Sequence, residues 1–221
     1  MTISYRSGGK AISAELFPPV GAARGAAVVI AHGSDGVTDD RNGPWATMMR
    51  QYGADFAQAG YTALLPHYFD KTGTEPGDAA MRSLFLNLPA WQQALADALK
   101  HAAALPGVGA GRVGLVGFSL GGHLGLRLRG QAPVVVEFFA PHLTDIGSVA
   151  SAAKHIQIHD GTADPIANAD LIAGVLGDEG IAPELHRYPG AGHGFNGADP
   201  DNTKARKLSR ERTLQFVADH L

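Results

Sequence analysis

The sequence predicts an α/β fold: a mostly parallel central sheet of about eight strands with helices on both faces. Three observations carry this. Short continuous apolar runs, AAVVIAH (26–32), RVGLVGF (112–118) and PVVVEFF (133–139), have the character of strands buried on both faces. Longer stretches of helical periodicity alternate with them, the pattern of parallel strands joined by crossover helices. The chain has 221 residues, 45% hydrophobic and 18% charged, which suits a single domain over 1–221 with one sizeable core.

The elements follow in order. TISY (2–5) and AISAELF (11–17) alternate and read as an antiparallel pair at one edge. The strand 26–32 leads to a helix over 44–59, with Pro44 suited to its first turn and Gly60 to its end. YTALLP (61–66) is the next strand. Residues 66–80 are the longest irregular loop and leave the sheet at its carboxyl edge. Residues 77–105 read as one or two helices interrupted near Pro89, with Phe85 and Trp91 expected in the core. The strand 112–118 runs into the helix LGGHLGLRLRG. Strands 133–139, 154–160 and 183–189 follow, with a helix over 165–177 between the last two, and 202–220 closes the chain as a helix. Only 14 residues separate Phe139 from Lys154, which leaves no room for a large lid over the sheet edge.

Composition excludes several functions. The formal net charge is -3 with no Lys/Arg run, which argues against nucleic acid as a partner. There is no cysteine, hence no disulfide, thiolate zinc site or cysteine nucleophile. The ten histidines show no H-E-x-x-H or similar ligand pair, so neither metal nor cofactor is expected. The N-terminal MTISYRSGGK lacks an apolar h-region and no run is long enough to span a bilayer. A cytoplasmic protein with no membrane partner, as monomer or small homo-oligomer, is the expectation.

The stretch VGLVGFSLGGH (113–123) carries the chemistry. A serine with glycine at -2 and +2, between a strand and a helix, is the G-x-S-x-G nucleophile elbow. Bulk at either flank would clash in so sharp a turn, and the helix from Leu120 directs free backbone N–H groups at the site. Serine requires a base, and the base an orienting acid. In elbows of this kind acid and then histidine follow in the chain. Asp164, in HDGTADPIA, lies in a turn after a strand; Asp160 is its rival, though Asp before Gly161 also reads as a plain turn residue. His193, in YPGAGHGF, lies in the glycine-rich loop after the last strand. The oxyanion donors are expected from the backbone N–H of Leu120 and of Ser34 in HGSDG, with Gly33 the alternative to Ser34.

With these motifs in place, the chain resembles the dienelactone hydrolase family of α/β-hydrolases. The resemblance rests on VVIAHGSDGV, GYTALLPHYF, RVGLVGFSLGG, HDGTADPIA and YPGAGHGF in that order. It implies an α/β-hydrolase fold, the triad Ser119, Asp164 and His193, and a hydrolase of carboxylic esters or lactones. It also implies two departures. The founding lactonases use a cysteine nucleophile where this chain has Ser119. They also hold a substrate carboxylate with two arginines, at positions that fall here at Lys71 and Gly197. A serine ester hydrolase acting on small soluble substrates is therefore the expected member; a thioester or small-peptide hydrolase, or a non-catalytic binding member, are the alternatives.

The remaining candidates are substrate contacts. Tyr68, Phe69, Phe118 and Phe195 flank carboxyl-edge loops and are expected to line the pocket. Lys71 is a candidate for a substrate carboxylate, against the alternative of a solvated loop lysine. His32 and His123 are expected to be structural, His159 could be either, and Asp39 and Asp40 should solvate or cap their loop.

Overall fold

The computed structural model describes residues 1–40, 43–147 and 153–221. An eight-stranded sheet forms the centre. Its strands are β1 (Thr2–Ser7), β2 (Lys10–Phe17), β3 (Ala27–Ala31), β6 (Thr62–Pro66), β7 (Val113–Phe118), β8 (Val134–Phe138), β9 (His155–Gly161) and β10 (Glu184–Tyr188); β4 (Asp39–Asp40) and β5 (Gly43–Pro44) make a separate small ribbon. The spatial order is β1-β2-β6-β3-β7-β8-β9-β10. β2 pairs antiparallel with both β1 and β6, and every pair from β6 to β10 is parallel.

Alternation along the strands divides the core in two. In β3, Ala27, Val29 and Ala31 face a core shared with the helices α2 (Asp78–Arg82), α3 (Leu84–Ala103), α4 (Leu120–Arg127) and α5 (Ala169–Asp178). Val28 and Ile30 face the opposite core, built with α1 (Trp45–Gln58) and α6 (Pro200–His220). All five β3 residues are buried, as a strand covered on both faces requires.

Three expectations move. The break in 77–105 falls at Ser83, and α3 runs through Pro89. The inward stripe of α3 is Leu84, Leu88, Trp91 and Leu95, so Pro89 lies on the solvent side, where water can satisfy the carbonyl its missing N–H leaves free. Phe85 is about 100° off that stripe and is 68% exposed, not in the core; Trp91 is buried. The helix expected from 165 starts at Ala169 with Asn168 as its cap, because the Ile166 and Ala167 N–H groups are committed to the Asp164 carboxylate.

This topology places the site. The chain passes from β3 to β6 on one side and later enters β7 on the other. The crevice at the carboxyl ends of β3 and β7 is thus a topological switch point, where open α/β sheets bind ligands.

Candidate active site

Ser119 joins β7 to α4 with φ 51° and ψ -115°, a conformation that a residue with a Cβ rarely adopts. Its neighbours make the turn possible. A Cβ on Gly117 would stand 2.3 Å from the Gly121 carbonyl oxygen, and one on Gly121 would stand 2.2 Å from the Ala31 carbonyl oxygen. The turn is pinned by the Ser119 N–H donating to Phe138 O (2.9 Å) and the His123 N–H to Ser119 O (3.0 Å).

The structure brings Ser119, His193 and Asp164 together. His193 Nε2 lies 3.1 Å from Ser119 Oγ, and His193 Nδ1 lies 2.7 Å from Asp164 Oδ2. A carboxylate can only accept, so the proton sits on Nδ1 and Nε2 is left to accept from the serine. The Asp164 side chain is fully buried. Burial raises its pKa, but bonds from His193 and from the Ile166 and Ala167 N–H groups outweigh that and hold the carboxyl below its ordinary value. Asp160 is not part of this chain of contacts: burial, then the charge of Asp164, raise its pKa, and its Oδ1 has no partner among the described residues.

A cavity of about 270 Å³ opens over Ser119 Oγ. Gly33, Ser34 and Leu120 border it on the backbone side. Among the hydrogen bonds of the described residues the N–H groups of Ser34 and Leu120 donate to nothing, while the Ser34 carbonyl accepts from Gly77 N–H at 2.8 Å. The loop that carries Ser34 is fixed from beneath. His32 Nδ1 donates to Gly33 O at 2.8 Å, and burial pushes the His32 pKa down to about 3, so the ring is neutral.

The expected substrate contacts divide. Phe118 borders the cavity. Phe195 does not; it packs edge-on behind Phe139, with ring centroids 5.2 Å apart. Tyr68 and Phe69 do not border it either. They fall in a 3-10 turn, Tyr68–Lys71, that turns both rings into the core. Tyr68 stacks on His32 at 3.9 Å and donates its hydroxyl to His32 O at 2.8 Å, so it braces the Ser34 loop. Lys71 does not border the cavity; it is half-buried, and its Nζ donates to Ser7 O at 2.8 Å and ties the turn to β1.

The other histidines and acids have structural positions. His123 is buried with Nε2 3.1 Å from Thr144 Oγ1, and burial lowers its pKa to about 4. His159 is buried between Tyr188, Gln157 and Thr213. Asp39 accepts from the Thr47 backbone N–H and hydroxyl in the first turn of α1. No group of three or more potential metal ligands occurs among the described residues, and no helix among them is long and apolar enough to cross a membrane.

Trp45, Met49, Phe139 and Leu143 also border the cavity and were not singled out by sequence reasoning. Phe139 had a signal: it ends the run PVVVEFF at the same sheet edge. It holds φ 42°, and its ring lies 5.0 Å from that of His193.

The fold has close solved counterparts. A dienelactone hydrolase-like promiscuous phosphotriesterase, P91, from metagenomic libraries superposes with TM-score 0.76 at 17% identity, covering 100% of this chain and 97% of that one. XC6422 from Xanthomonas campestris, described as an α/β serine hydrolase without a lid, gives 0.73 at 16%, covering 99% and 94%. An esterase from the planctomycete Thermogutta terrifontis, with propionate bound, gives 0.64 at 20%, covering 98% and 94%. No curated protein matches the sequence. The family model does: it matches residues 12–221, from the second strand through the last helix, a span that includes Ser119, Asp164 and His193, and the chain belongs to the dienelactone hydrolase family.

Proposed function

We propose that this protein is a serine hydrolase that cleaves carboxylic esters or lactones of small soluble substrates through an acyl-enzyme on Ser119. The observation that carries the reading is the contact series Ser119 Oγ–His193 Nε2 (3.1 Å) and His193 Nδ1–Asp164 Oδ2 (2.7 Å) at the floor of a small cavity. The family membership and the esterase and serine hydrolase among the structural counterparts support the same chemistry.

In this reading Ser119 Oγ attacks the ester carbonyl as its proton passes to His193 Nε2. The negative charge that develops on the carbonyl oxygen is met by the N–H groups of Ser34 and Leu120, each worth roughly 3 kcal/mol in the transition state. His193 then gives the proton to the departing alkoxide. Water, activated by the same nitrogen, attacks the acyl-serine and restores the enzyme. Asp164 holds the imidazole in its Nδ1–H tautomer throughout and stabilises the imidazolium.

The test is turnover of a panel of short-chain nitrophenyl esters, lactones and thioesters, with a fluorophosphonate as covalent probe. Ser119→Ala should lower kcat by a factor on the order of 10⁴ or more and abolish labelling, with the fold intact. Labelling that persists in Ser119→Ala would refute the nucleophile.

A further inference from the structure

The catalytic cavity has a larger neighbour. On the far side of Phe118 and Phe139, which border both spaces, lies a groove of about 610 Å³. Tyr52, Phe138 and Phe195 line it with aromatic rings beside Met48 and Leu214, and α6 adds the charged Arg206, Lys207, Arg210 and Glu211. Two neighbouring stripes of α1 face the two spaces: Trp45 and Met49 border the cavity, Met48 and Tyr52 the groove.

Trp45 borders the cavity and reaches a residue that borders the groove. The tip of its six-membered ring abuts the turn that carries His193: a Cβ on Gly194 would stand 2.2 Å from Trp45 Cη2 and 2.9 Å from Cζ3. Gly194 itself borders the groove and holds φ 74°. The glycine after the histidine therefore serves two needs, a left-handed backbone and room for this ring. The opposite rim of the cavity is different. Met81 and Ile166 stand there 54% and 52% exposed, so that side opens to water.

We infer that Trp45, which borders the cavity together with Phe118 and Phe139 and abuts Gly194 at the edge of the groove, is a specificity-determining partition: it limits one of the two groups flanking the scissile ester to a compact one, while the other group extends freely past Met81 and Ile166. This rests on the ester reading above. Removing the ring joins the cavity to an aromatic-lined groove more than twice its size, so the widened enzyme takes long alkyl or aryl groups on that side.

The experiment measures kcat/KM along two homologous series, nitrophenyl esters of lengthening acyl chain and acetates of lengthening alcohol. The wild type should lose well over tenfold between four and ten carbons in one series only, since even the first misfit methylene in a closed pocket costs about tenfold or more. Trp45→Ala should restore about tenfold in that same series and leave the other ratio unchanged. Trp45→Leu should shift it part-way, and adding Met48→Trp to Trp45→Ala, which refills the groove, should reverse the gain. A wild type equally tolerant in both series overturns the partition without recourse to any variant. So does an unchanged ratio in a Trp45→Ala or Trp45→Leu enzyme that still labels with fluorophosphonate. Absence of ester turnover and of Ser119 labelling in the wild type would instead remove the ester reading, and the partition with it.

Discussion

At Ser119 the backbone occupies a region that costs on the order of 1–3 kcal/mol for a residue with a side chain, and the glycines on either side allow close approaches that no other residue could make. That cost is borne where it sets a hydroxyl at the mouth of a cavity within reach of an imidazole. The choice between two aspartates four residues apart is decided at the same scale. Asp164 accepts from His193 and two backbone N–H groups, whereas Asp160 makes no contact with the ring. Asp164→Asn should therefore lower kcat by about 10⁴, because the amide favours the wrong imidazole tautomer, while Asp160→Asn should stay within a few-fold of wild type. The reverse ranking would mean that the acid has been misassigned. These residues were legible in the sequence because the elbow is a local steric requirement written in Gly117 and Gly121. Tyr68, Phe69 and Lys71 were not. Loop position told that they leave the sheet at the right edge, but a 3-10 turn decides which way each side chain points, and it turned two rings inward and the ammonium to Ser7.

At the scale of elements, the first turns of α6 fix the loop that carries His193. Asp199 caps the helix by accepting from the Asn202 N–H at 2.9 Å, and Asn202 Oδ1 accepts from the Gly192 N–H at 3.0 Å. One turn on, Arg206 donates to the carbonyls of Phe195 and Gly197. The loop is thus held on both sides of His193 by one helix. Asn202→Ala removes one grip and leaves the Gly192 N–H unpaired in a half-buried site. It should cost about 1–3 kcal/mol of stability and lower kcat more than it raises KM, since a displaced imidazole weakens proton transfer rather than substrate binding. Equal stability loss with unchanged kcat would show that the grip only supports the fold. Sequence periodicity found α6 but could not find this role, because Asn202 and Arg206 sit on a polar helix and their partners are backbone groups far along the loop. The break between α2 and α3 was misplaced for a related reason: Pro89 reads as a helix breaker, and only the direction of the buried stripe reveals that its missing bond lies in water.

Over the whole molecule, the sheet order that makes the switch point also buries ionisable groups beneath it, and these set how stability responds to pH. Glu137 sits on β8, 1% exposed, between Gly117 of β7 and Ile158 of β9. Its Oε2 accepts from the Ala140 N–H at 2.9 Å. Burial, opposed by that bond and reinforced by the charges of Asp160 and Asp164, pushes its pKa up to about 8. An unfolded glutamate titrates near 4.3, so across roughly pH 4–8 the unfolded chain ionises here and the folded one does not, and folding loses about 1.4 kcal/mol per pH unit from this group. The raised pKa of Asp160 works in the same direction. The buried histidines work the other way: His32 and His123 are pushed down to about 3 and about 4, and His159 is lowered as well, so they favour the fold increasingly as pH rises to the ordinary histidine value near 6.5 and add nothing beyond it. The lowered pKa of Asp164 contributes only at more acid pH, where its stabilisation is lost as pH falls. Above about pH 6.5 the Glu137 slope is thus left without the histidine gain that offsets it. The wild type should lose on the order of 2 kcal/mol between pH 6.5 and 8, read from urea unfolding midpoints at constant slope. Glu137→Gln keeps an acceptor for the Ala140 N–H and cannot ionise, so its stability should stay level over the same interval and exceed that of wild type at pH 8. Parallel pH profiles for the two proteins would mean that Glu137 is already ionised in the fold and that the sheet beneath the site holds its charge.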